Sequence, residues 1–243
     1  MARCAAFPAV LFDVTVPLRR AAVFAALLAC FYINSAAAAT ILVYGDSLSA
    51  AYGLAQREGW PALLQERLTT EKFNYQVMNA SISGETTAGG ASRIRATLAT
   101  ARPAVVILEL GANDGLRGLP IEEMKRNLNR IIDACRDARA QVLMVGMRLP
   151  PNYGTRYTGA FAQAYADTAA RYRLPLVPFL MEGFAEQREL FQSDGLHPVA
   201  AAEGRILDNI WPVLEPLLTA APRRSGTGSA PTAARPRSSA AVE

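Results

Sequence analysis

The sequence of 243 residues contains a single histidine, His197, and three cysteines. Cys4 and Cys30 lie in an apolar N-terminal segment, so only Cys135 belongs to the part of the chain with regular structural patterns. One histidine and one cysteine cannot supply the ligands of a usual zinc site, and a lone thiol cannot form an intramolecular disulfide. We therefore predict no metal and no cofactor. Any reaction that needs an imidazole base has one candidate for it.

The central part of the chain also lacks a positive net charge, although the whole sequence has a formal net charge of +4. Residues 1–39 carry +2 and residues 222–243 carry +3, which leaves about −1 for residues 40–221. This near-neutral part gives no argument for binding nucleic acid. The loop after the first predicted strand lacks the glycine patterns of nucleotide-binding loops, so a phosphate cradle is not supported. The absence of G-x-S-x-G disfavours the ordinary α/β-hydrolase fold.

Residues 1–39 have the pattern of an export signal peptide. Two arginines precede an apolar stretch over residues 21–33 that is too short to span a bilayer, and small residues follow that suit cleavage near Ala38 or Ala39. We expect a periplasmic or secreted product with no integral membrane span after processing. Two alternatives stay open, namely an uncut membrane anchor and a lipoprotein modified on Cys30.

Within residues 40–221, short apolar runs alternate with longer amphipathic stretches. The runs predict strands over residues 40–44, 75–79, 104–110, 141–147 and 176–177. The stretches predict helices over residues 60–70, 86–100, 121–138, 158–172 and 199–218, the last kinked or divided by prolines 212 and 216. This alternation, with strands that are apolar throughout, predicts a three-layer α/β/α domain around a parallel five-stranded sheet. Residues 222–243 are predicted to be a disordered basic tail.

Polar segments follow four of the predicted strands, where the carboxyl ends of parallel strands meet along one edge of the sheet. These segments are residues 45–49, 80–85, 111–114 and 148–154. A fifth segment, which carries Asp194 and His197, precedes the last helix and can reach the same edge. Ligands of open α/β sheets bind outside the carboxyl ends of the strands. We therefore expect these segments to form one site.

Four blocks in this set resemble those of the GDSL-type esterases and lipases, also called SGNH hydrolases. Ser47 lies in GDSLS, Gly84 in SISGET, Asn113 in GAND and His197 in DGLHP, and the resemblance covers about residues 40–218. The stretches ELGANDGLRG and RLPPNYG look much like the bacterial subgroup of multifunctional thioesterase I, lysophospholipase and arylesterase enzymes. The resemblance implies a flavodoxin-like fold and broad hydrolysis of acyl esters and thioesters.

A serine hydrolase of this kind needs an exposed serine, an imidazole base and a carboxylate that orients the base. Ser47 is the candidate nucleophile and His197 its only available base. Asp194 lies three residues before His197, where it can bond the second ring nitrogen, and the family uses the same spacing. The resemblance also implies an oxyanion hole made of the backbone N–H groups of Ser47 and Gly84 and the side-chain amide of Asn113. The ordinary alternative is that Asp194, Gly84 and Asn113 are turn or cap residues.

Other polar residues near these blocks have structural interpretations. Asp46 and Asp114 are predicted to brace their turns by bonding backbone amides. Glu109 interrupts a buried strand and is predicted to be a paired structural carboxylate. Cys135 lies on the apolar side of a helical pattern and is predicted to be a buried thiol.

The loop after the fourth strand has two interpretations. Its residues Leu149, Pro150, Pro151, Asn152 and Tyr153 either line an acyl pocket, as the subgroup's corresponding loop does, or form a rigid proline turn at the domain edge.

The sequence thus predicts a serine esterase that acts through an acyl-enzyme on a small acyl ester, thioester or lysophospholipid, as a monomer. One alternative is a carbohydrate acetylesterase of the same fold, against which the thioesterase-like stretches argue. Another is a catalytically silent binding module, against which the intact set of Ser47, Asp194 and His197 argues.

Overall fold

Five parallel strands form one sheet in the computed structural model, which describes residues 37–220. The strands are β1 (Ala39–Gly45), β2 (Tyr75–Asn79), β3 (Val105–Glu109), β4 (Gln141–Val145) and β5 (Leu176–Val177), in the order β2-β1-β3-β4-β5. The predicted α/β fold with a parallel five-stranded sheet is confirmed. Most of the predicted leader and the whole predicted tail lie outside the described residues, as do Cys4 and Cys30.

Helices connect the strands and cover the sheet. They are α1 (Trp60–Thr70), α2 (Thr87–Ala101), α3 (Ala112–Leu116), α4 (Ile121–Asp137), α5 (Thr155–Tyr172) and α6 (Ala200–Ala220). Short 3₁₀ turns occur at Gln56–Glu58, Pro151–Tyr153 and Arg188–Leu190. Within residues 37–220, none of the helices combines the length and the apolar character needed to cross a membrane.

The order of the strands decides which face each helix covers. The connection from β1 to β2 moves toward one edge of the sheet, and the later connections all move toward the opposite edge. Because crossovers between parallel strands are right-handed, α1 lies on one face and the later crossover helices lie on the opposite face. The packing agrees, since α1 contacts α6, whereas α4 contacts both α2 and α5. The strand order reverses between β1 and β3, which is where such sheets bind ligands.

The central strands are apolar along their whole length because both of their faces are covered. All five residues of β3 are buried, and so are the residues of β1 from Ile41 onward. The edge strand β2 is half exposed and correspondingly more polar. Continuous apolar runs are typical of parallel strands buried on both faces.

The last helix is continuous, so prolines 212 and 216 do not divide it, which leaves the kink as the other form of the sequence prediction. Both prolines lie on the exposed face of α6, whereas Ile206, Ile210 and Leu214 form a buried stripe that runs past them. A proline inside a helix costs about 3 kcal/mol, and burial of each large apolar side chain returns about 2 kcal/mol. The buried stripe therefore holds the helix together across both prolines.

Helix α6 also carries a buried carboxyl group that holds the start of α1. Glu203 is 2% exposed, and its Oε2 accepts a hydrogen bond of 2.8 Å from the backbone N–H of Trp60. No ion pair to Glu203 is present among residues 37–220. Burial raises the pKa of Glu203 to about 7, although the hydrogen bond from Trp60 acts in the opposite direction.

The raised pKa of Glu203 predicts a stability that falls as the pH rises. The folded state binds the proton more tightly than the unfolded state, so stability is highest below the unfolded pKa and is lost as the pH approaches about 7. Glu203→Gln keeps an oxygen that accepts the N–H of Trp60. We expect its free energy of unfolding, relative to that of wild type, to increase by up to about 3 kcal/mol from pH 5 to pH 8. Urea unfolding at both pH values measures this gain. Glu215→Gln, on the exposed face of α6, is the control, and an equal gain at both pH values for Glu203→Gln would contradict the prediction.

Candidate active site

Two hydrogen bonds connect three of the residues that the sequence singled out. Ser47 lies in the turn that follows β1, and its Oγ is 2.8 Å from Nε2 of His197. The other ring nitrogen, Nδ1, is 2.7 Å from Oδ2 of Asp194. Ser47 and His197 are partly buried, so the two side chains are shielded without being closed off from solvent. The structure thus brings together a hydroxyl, an imidazole and a carboxylate from opposite ends of the domain.

The carboxylate of Asp194 also organises the backbone around the imidazole. Its Oδ1 accepts hydrogen bonds from the N–H groups of Leu196 (2.9 Å) and His197 (3.0 Å). Desolvation acts to raise the pKa of Asp194, but these two bonds and the bond from the imidazole outweigh it and lower the pKa to about 2. Asp194 is therefore ionised at neutral pH, and one side chain fixes both the turn and the ring.

Asn113 reaches the same place from the first turn of α3 and is oriented by a buried carboxylate. Its Nδ2 donates to Oδ2 of Asp46 at 3.1 Å, and Oδ1 of Asp46 accepts the N–H of Leu48 at 3.1 Å. Asp46 is fully buried, and burial raises its pKa to about 6 against the effect of these hydrogen bonds. The prediction that Asp46 braces its turn is confirmed, and the carboxylate also connects the Ser47 turn to Asn113.

The loop that contains Gly84 is fastened to the end of β1 and to α3. The backbone N–H of Gly45 donates to Oγ of Ser81 at 3.1 Å, and the N–H of Ile82 donates to the carbonyl of Gly45 at 3.1 Å. The guanidinium of Arg117, at the end of α3, donates to the carbonyl of Gly84 at 2.9 Å. Gly84 has a φ of +78°, a conformation that glycine adopts without strain. The blocks with Ser47, Gly84 and Asn113 therefore meet at one edge of the sheet.

Comparison with known proteins identifies the family of the chain. The model of the GDSL-like lipase/acylhydrolase family matches residues 43–204. The chain belongs to this family. The sequence-based predictions of the family and of a hydrolase are thereby confirmed.

Three relatives of the hydrolase show how far the similarity extends. Esterase TesA from Pseudomonas aeruginosa is 50% identical over 185 residues, which is 76% of this chain and 92% of that protein. Thioesterase 1/protease 1/lysophospholipase L1 from Escherichia coli K12 is 40% identical over 185 residues, 76% of this chain and 88% of that protein. A crystal structure of the psychrotrophic esterase EstA from Pseudoalteromonas sp., inhibited by monoethylphosphonate, superposes with a TM-score of 0.71 at 40% identity, and the match covers 74% of this chain and 98% of that one.

A second buried carboxyl group, Glu109, lies beneath the Ser47 turn of the hydrolase. Its Oε2 accepts the hydroxyl of Ser49 at 2.8 Å and the N–H of Asp46 at 3.2 Å, and its Oε1 has no partner within residues 37–220. Burial, followed by the nearby charge of Asp46, raises the pKa of Glu109 well above its usual value. The prediction of a paired structural carboxyl group is confirmed, since two hydrogen bonds hold it. Both donors, the hydroxyl of Ser49 and the backbone N–H of Asp46, are uncharged.

Asp114 and Cys135 are both buried. Asp114 accepts the N–H and the hydroxyl of Thr87 at 2.8 and 2.5 Å, so it braces the start of α2, whereas the sequence predicted that it braces its own turn. Cys135 is fully buried in α4, and burial raises the pKa of its thiol to about 12. Within residues 37–220, no cluster of three or more His, Cys, Asp or Glu side chains is placed to hold a metal ion.

The loop after β4 shows features of both of its interpretations. Leu149 is buried in the core and Pro150 is half-buried, as a rigid edge turn requires. Pro151, Asn152 and Tyr153 are exposed, and the hydroxyl of Tyr153 donates to the carbonyl of Leu116 in α3 at 2.9 Å. The outer part of the loop therefore lies beside the helix that carries Asn113.

Two residues that the sequence did not single out also contact the site. The ring centroids of Tyr52 and His197 are 4.4 Å apart. The side-chain amide of Gln192 donates to the carbonyl of Tyr52, and its backbone N–H donates to the carbonyl of His197. Tyr52 is five positions after Ser47, and Gln192 is five positions before His197. Proximity along the chain to the two blocks was the available signal, but it does not distinguish these residues from their neighbours.

Close packing between β1 and β3 predicts that any side chain at position 45 destabilises the fold. A Cβ at this position would lie 2.5 Å from Oε2 and 2.8 Å from the backbone oxygen of Glu109. We expect Gly45→Ala to lower the free energy of unfolding by about 1–3 kcal/mol, measured by urea denaturation. Gly159→Ala is the control, because nothing lies within 4 Å of a Cβ there and alanine favours the helix by up to about 1 kcal/mol. Equal stability of the two variants would contradict the prediction.

Proposed function

We propose that the hydrolase is a serine esterase that cleaves small acyl esters and thioesters through an acyl-enzyme on Ser47. The observation that carries the proposal is the continuous path of hydrogen bonds from Ser47 through His197 to Asp194, with lengths of 2.8 and 2.7 Å. A serine hydroxyl becomes a strong nucleophile when an adjacent base removes its proton. His197 contacts the hydroxyl directly, and Asp194 holds the ring in the tautomer that leaves Nε2 free to accept that proton.

The reaction then follows from this geometry. Oγ of Ser47 attacks the acyl carbonyl while Nε2 of His197 takes its proton, and the carboxylate of Asp194 stabilises the imidazolium. The imidazolium returns the proton to the departing alcohol or thiol, which leaves the acyl group on Ser47. A water molecule that gives its proton to His197 attacks the acyl-enzyme, and the acid is released as Ser47 regains its proton.

The oxyanion that forms in each step requires donors that are already in place. We assign these to the backbone N–H groups of Ser47 and Gly84 and to the side-chain amide of Asn113. The amide carries two N–H groups. One of them donates to Asp46, so the direction of the other is fixed. Asp46 therefore supports the oxyanion hole without contacting the substrate.

Exposed apolar side chains near the site support an acyl substrate. Among residues 37–220, the exposed large hydrophobic side chains are Tyr52, Met78, Ile82, Tyr153 and Leu196. All of them except Met78 lie in the loops that follow β1, β2 and β4 or beside His197. Apolar groups concentrated on one rim fit an acyl chain or a lysophospholipid better than a sugar. The names of the relatives, which include an esterase and a thioesterase/lysophospholipase, agree.

We also retain the proposal that the enzyme is exported, with its leader removed near Ala38 or Ala39, and that it acts as a monomer. Residues 37 and 38 are exposed and precede β1, so cleavage after Ala38 leaves the whole of the strand in the mature chain. Residues 149–153 are proposed to contact the acyl chain, since their outer part lies beside α3.

Hydrolysis of p-nitrophenyl esters of graded chain length tests the proposed function. We expect Ser47→Ala and His197→Ala to lose at least about four orders of magnitude in kcat, because the two residues act as one unit. Ser92→Ala, at an exposed position in α2, should retain wild-type activity. Activity of either site variant equal to that of wild type would refute the proposal. Turnover of acetylated sugars alone, with none of longer esters or thioesters, would favour the carbohydrate acetylesterase.

The assignment of Asn113 predicts a selective loss in the chemical step. Asn113→Ala removes one oxyanion donor and should lower kcat about a hundredfold, equivalent to about 3 kcal/mol, with little change in KM. Asn113→Asp keeps the shape but lacks the donor, and we expect a loss at least as large. Steady-state kinetics on one ester measure both variants. A value of kcat within threefold of wild type would exclude Asn113 from the oxyanion hole.

A further inference from the structure

An aromatic ring lies against the imidazole at the centre of the site. The centroids of Tyr52 and His197 are 4.4 Å apart and their planes are inclined by 37°. Tyr52 is 50% exposed, and no hydrogen bond of its hydroxyl occurs within residues 37–220. The ring contact of this side chain within residues 37–220 is the one with His197.

The two hydrogen bonds of the imidazole leave one motion unrestrained. Both bonds lie near the plane of the ring, one at Nδ1 and one at Nε2. Together they fix the position of the ring along the line from Asp194 to Ser47, but a tilt about that line breaks neither of them. A group packed against a face of the ring removes this freedom, and Tyr52 is placed to do so. Aromatic pairs at this separation stabilise each other beyond the area that they bury.

A single side chain fastens the segment that carries Tyr52 to the segment that carries His197. Nε2 of Gln192 donates to the carbonyls of Tyr52 (2.8 Å) and Pro198 (2.9 Å), and its backbone N–H donates to the carbonyl of His197 at 2.7 Å. Gly53 allows this close approach, because a Cβ there would lie 2.2 Å from Oε1 of Gln192. The backbone N–H of Tyr52 also donates to the carbonyl of Ser47 at 3.3 Å.

We propose that Tyr52 is a positioning residue, which is held by Gln192 against the face of His197 and keeps the imidazole in line with Ser47 during proton transfer. The proposal rests on the proposed function, because it assigns to Tyr52 an effect on the base of that reaction. Proton transfer is sensitive to the alignment of donor and acceptor, so an unsupported ring spends less time in the productive orientation. The ring also keeps water away from one face of the imidazole.

Kinetics on a short ester, p-nitrophenyl acetate, test the effect on the reaction. Tyr52→Ala should lower kcat by about ten- to a hundredfold with KM changed by less than about twofold, since the acetyl group is too small for an apolar contact to contribute much to its binding. Tyr52→Phe keeps the ring and should remain within about twofold of wild type. Met78→Ala, which removes an exposed hydrophobic side chain from β2, is the control for loss of such a group.

Nuclear magnetic resonance tests the contact independently of turnover. Because the tag-free full chain has one histidine, the imidazole Hε1 and Hδ2 signals need no assignment by mutation. The face of the tyrosine ring shields these protons, so we expect both signals to move downfield in Tyr52→Ala and to stay near their wild-type positions in Tyr52→Phe. A substitution that acted only through stability would not move the imidazole signals of Tyr52→Ala while leaving those of Tyr52→Phe in place.

Gln192→Glu tests the connection between the two segments. It replaces the donor nitrogen with an oxygen that faces two carbonyls, so the segment with Tyr52 should be released. We expect the lower kcat and the downfield imidazole signals of Tyr52→Ala, and little further loss when the two substitutions are combined.

The outcomes separate the positioning role from the proposed function. A wild-type kcat for Tyr52→Ala, or imidazole signals that do not move, would overturn the positioning role while an inactive His197→Ala still upheld the proposed function. Full activity of His197→Ala would refute the proposed function itself, whatever Tyr52→Ala showed. Fully additive losses for Tyr52→Ala and Gln192→Glu would show that Gln192 does not act through Tyr52.

Discussion

The arrangement of the site depends on two buried carboxyl groups beneath the Ser47 turn. Glu109, at the end of β3, accepts the backbone N–H of Asp46, and Asp46 in turn accepts Leu48 and Asn113. Two adjacent buried carboxylates cannot both be charged at low cost, so the nearby charge of Asp46 adds to the effect of burial in raising the pKa of Glu109. Through these hydrogen bonds, the backbone of the Ser47 turn and the amide of Asn113 are both connected to the ends of the central strands β1 and β3.

The sequence predicted those parts of the molecule that local chemistry determines. Strands covered on both faces must be apolar throughout, so β1, β3 and β4 were recognisable, with boundaries that differ from the structure by only one or two residues. Blocks of fixed residue types identified Ser47, Asn113 and His197. Short helix α3 was not predicted, because five residues carry too little periodicity to indicate a helix. The continuity of α6 depends on a buried stripe that proline propensity does not take into account.

The remaining features are relations between distant parts of the chain, which local patterns do not encode. The raised pKa of Glu109 depends on its burial and on its distance from Asp46, and the register of β1 against β3 sets that distance. The contact of Tyr52 with His197 depends on how two loops from opposite ends of the domain approach each other. Hydrogen bonding and burial decide the state of such groups, and both exist only once the fold has formed.

The 150 positions that separate Ser47 from His197 have a consequence for when the molecule becomes active. Ser47 follows the first strand, whereas His197 lies just before the last helix, so the two side chains meet only when these distant parts of the domain have come together. A partly synthesised or partly folded chain holds an ordinary serine hydroxyl of low reactivity. On the proposed mechanism, catalytic competence is therefore a late property of folding, and the appearance of activity during refolding reports the approach of these two segments.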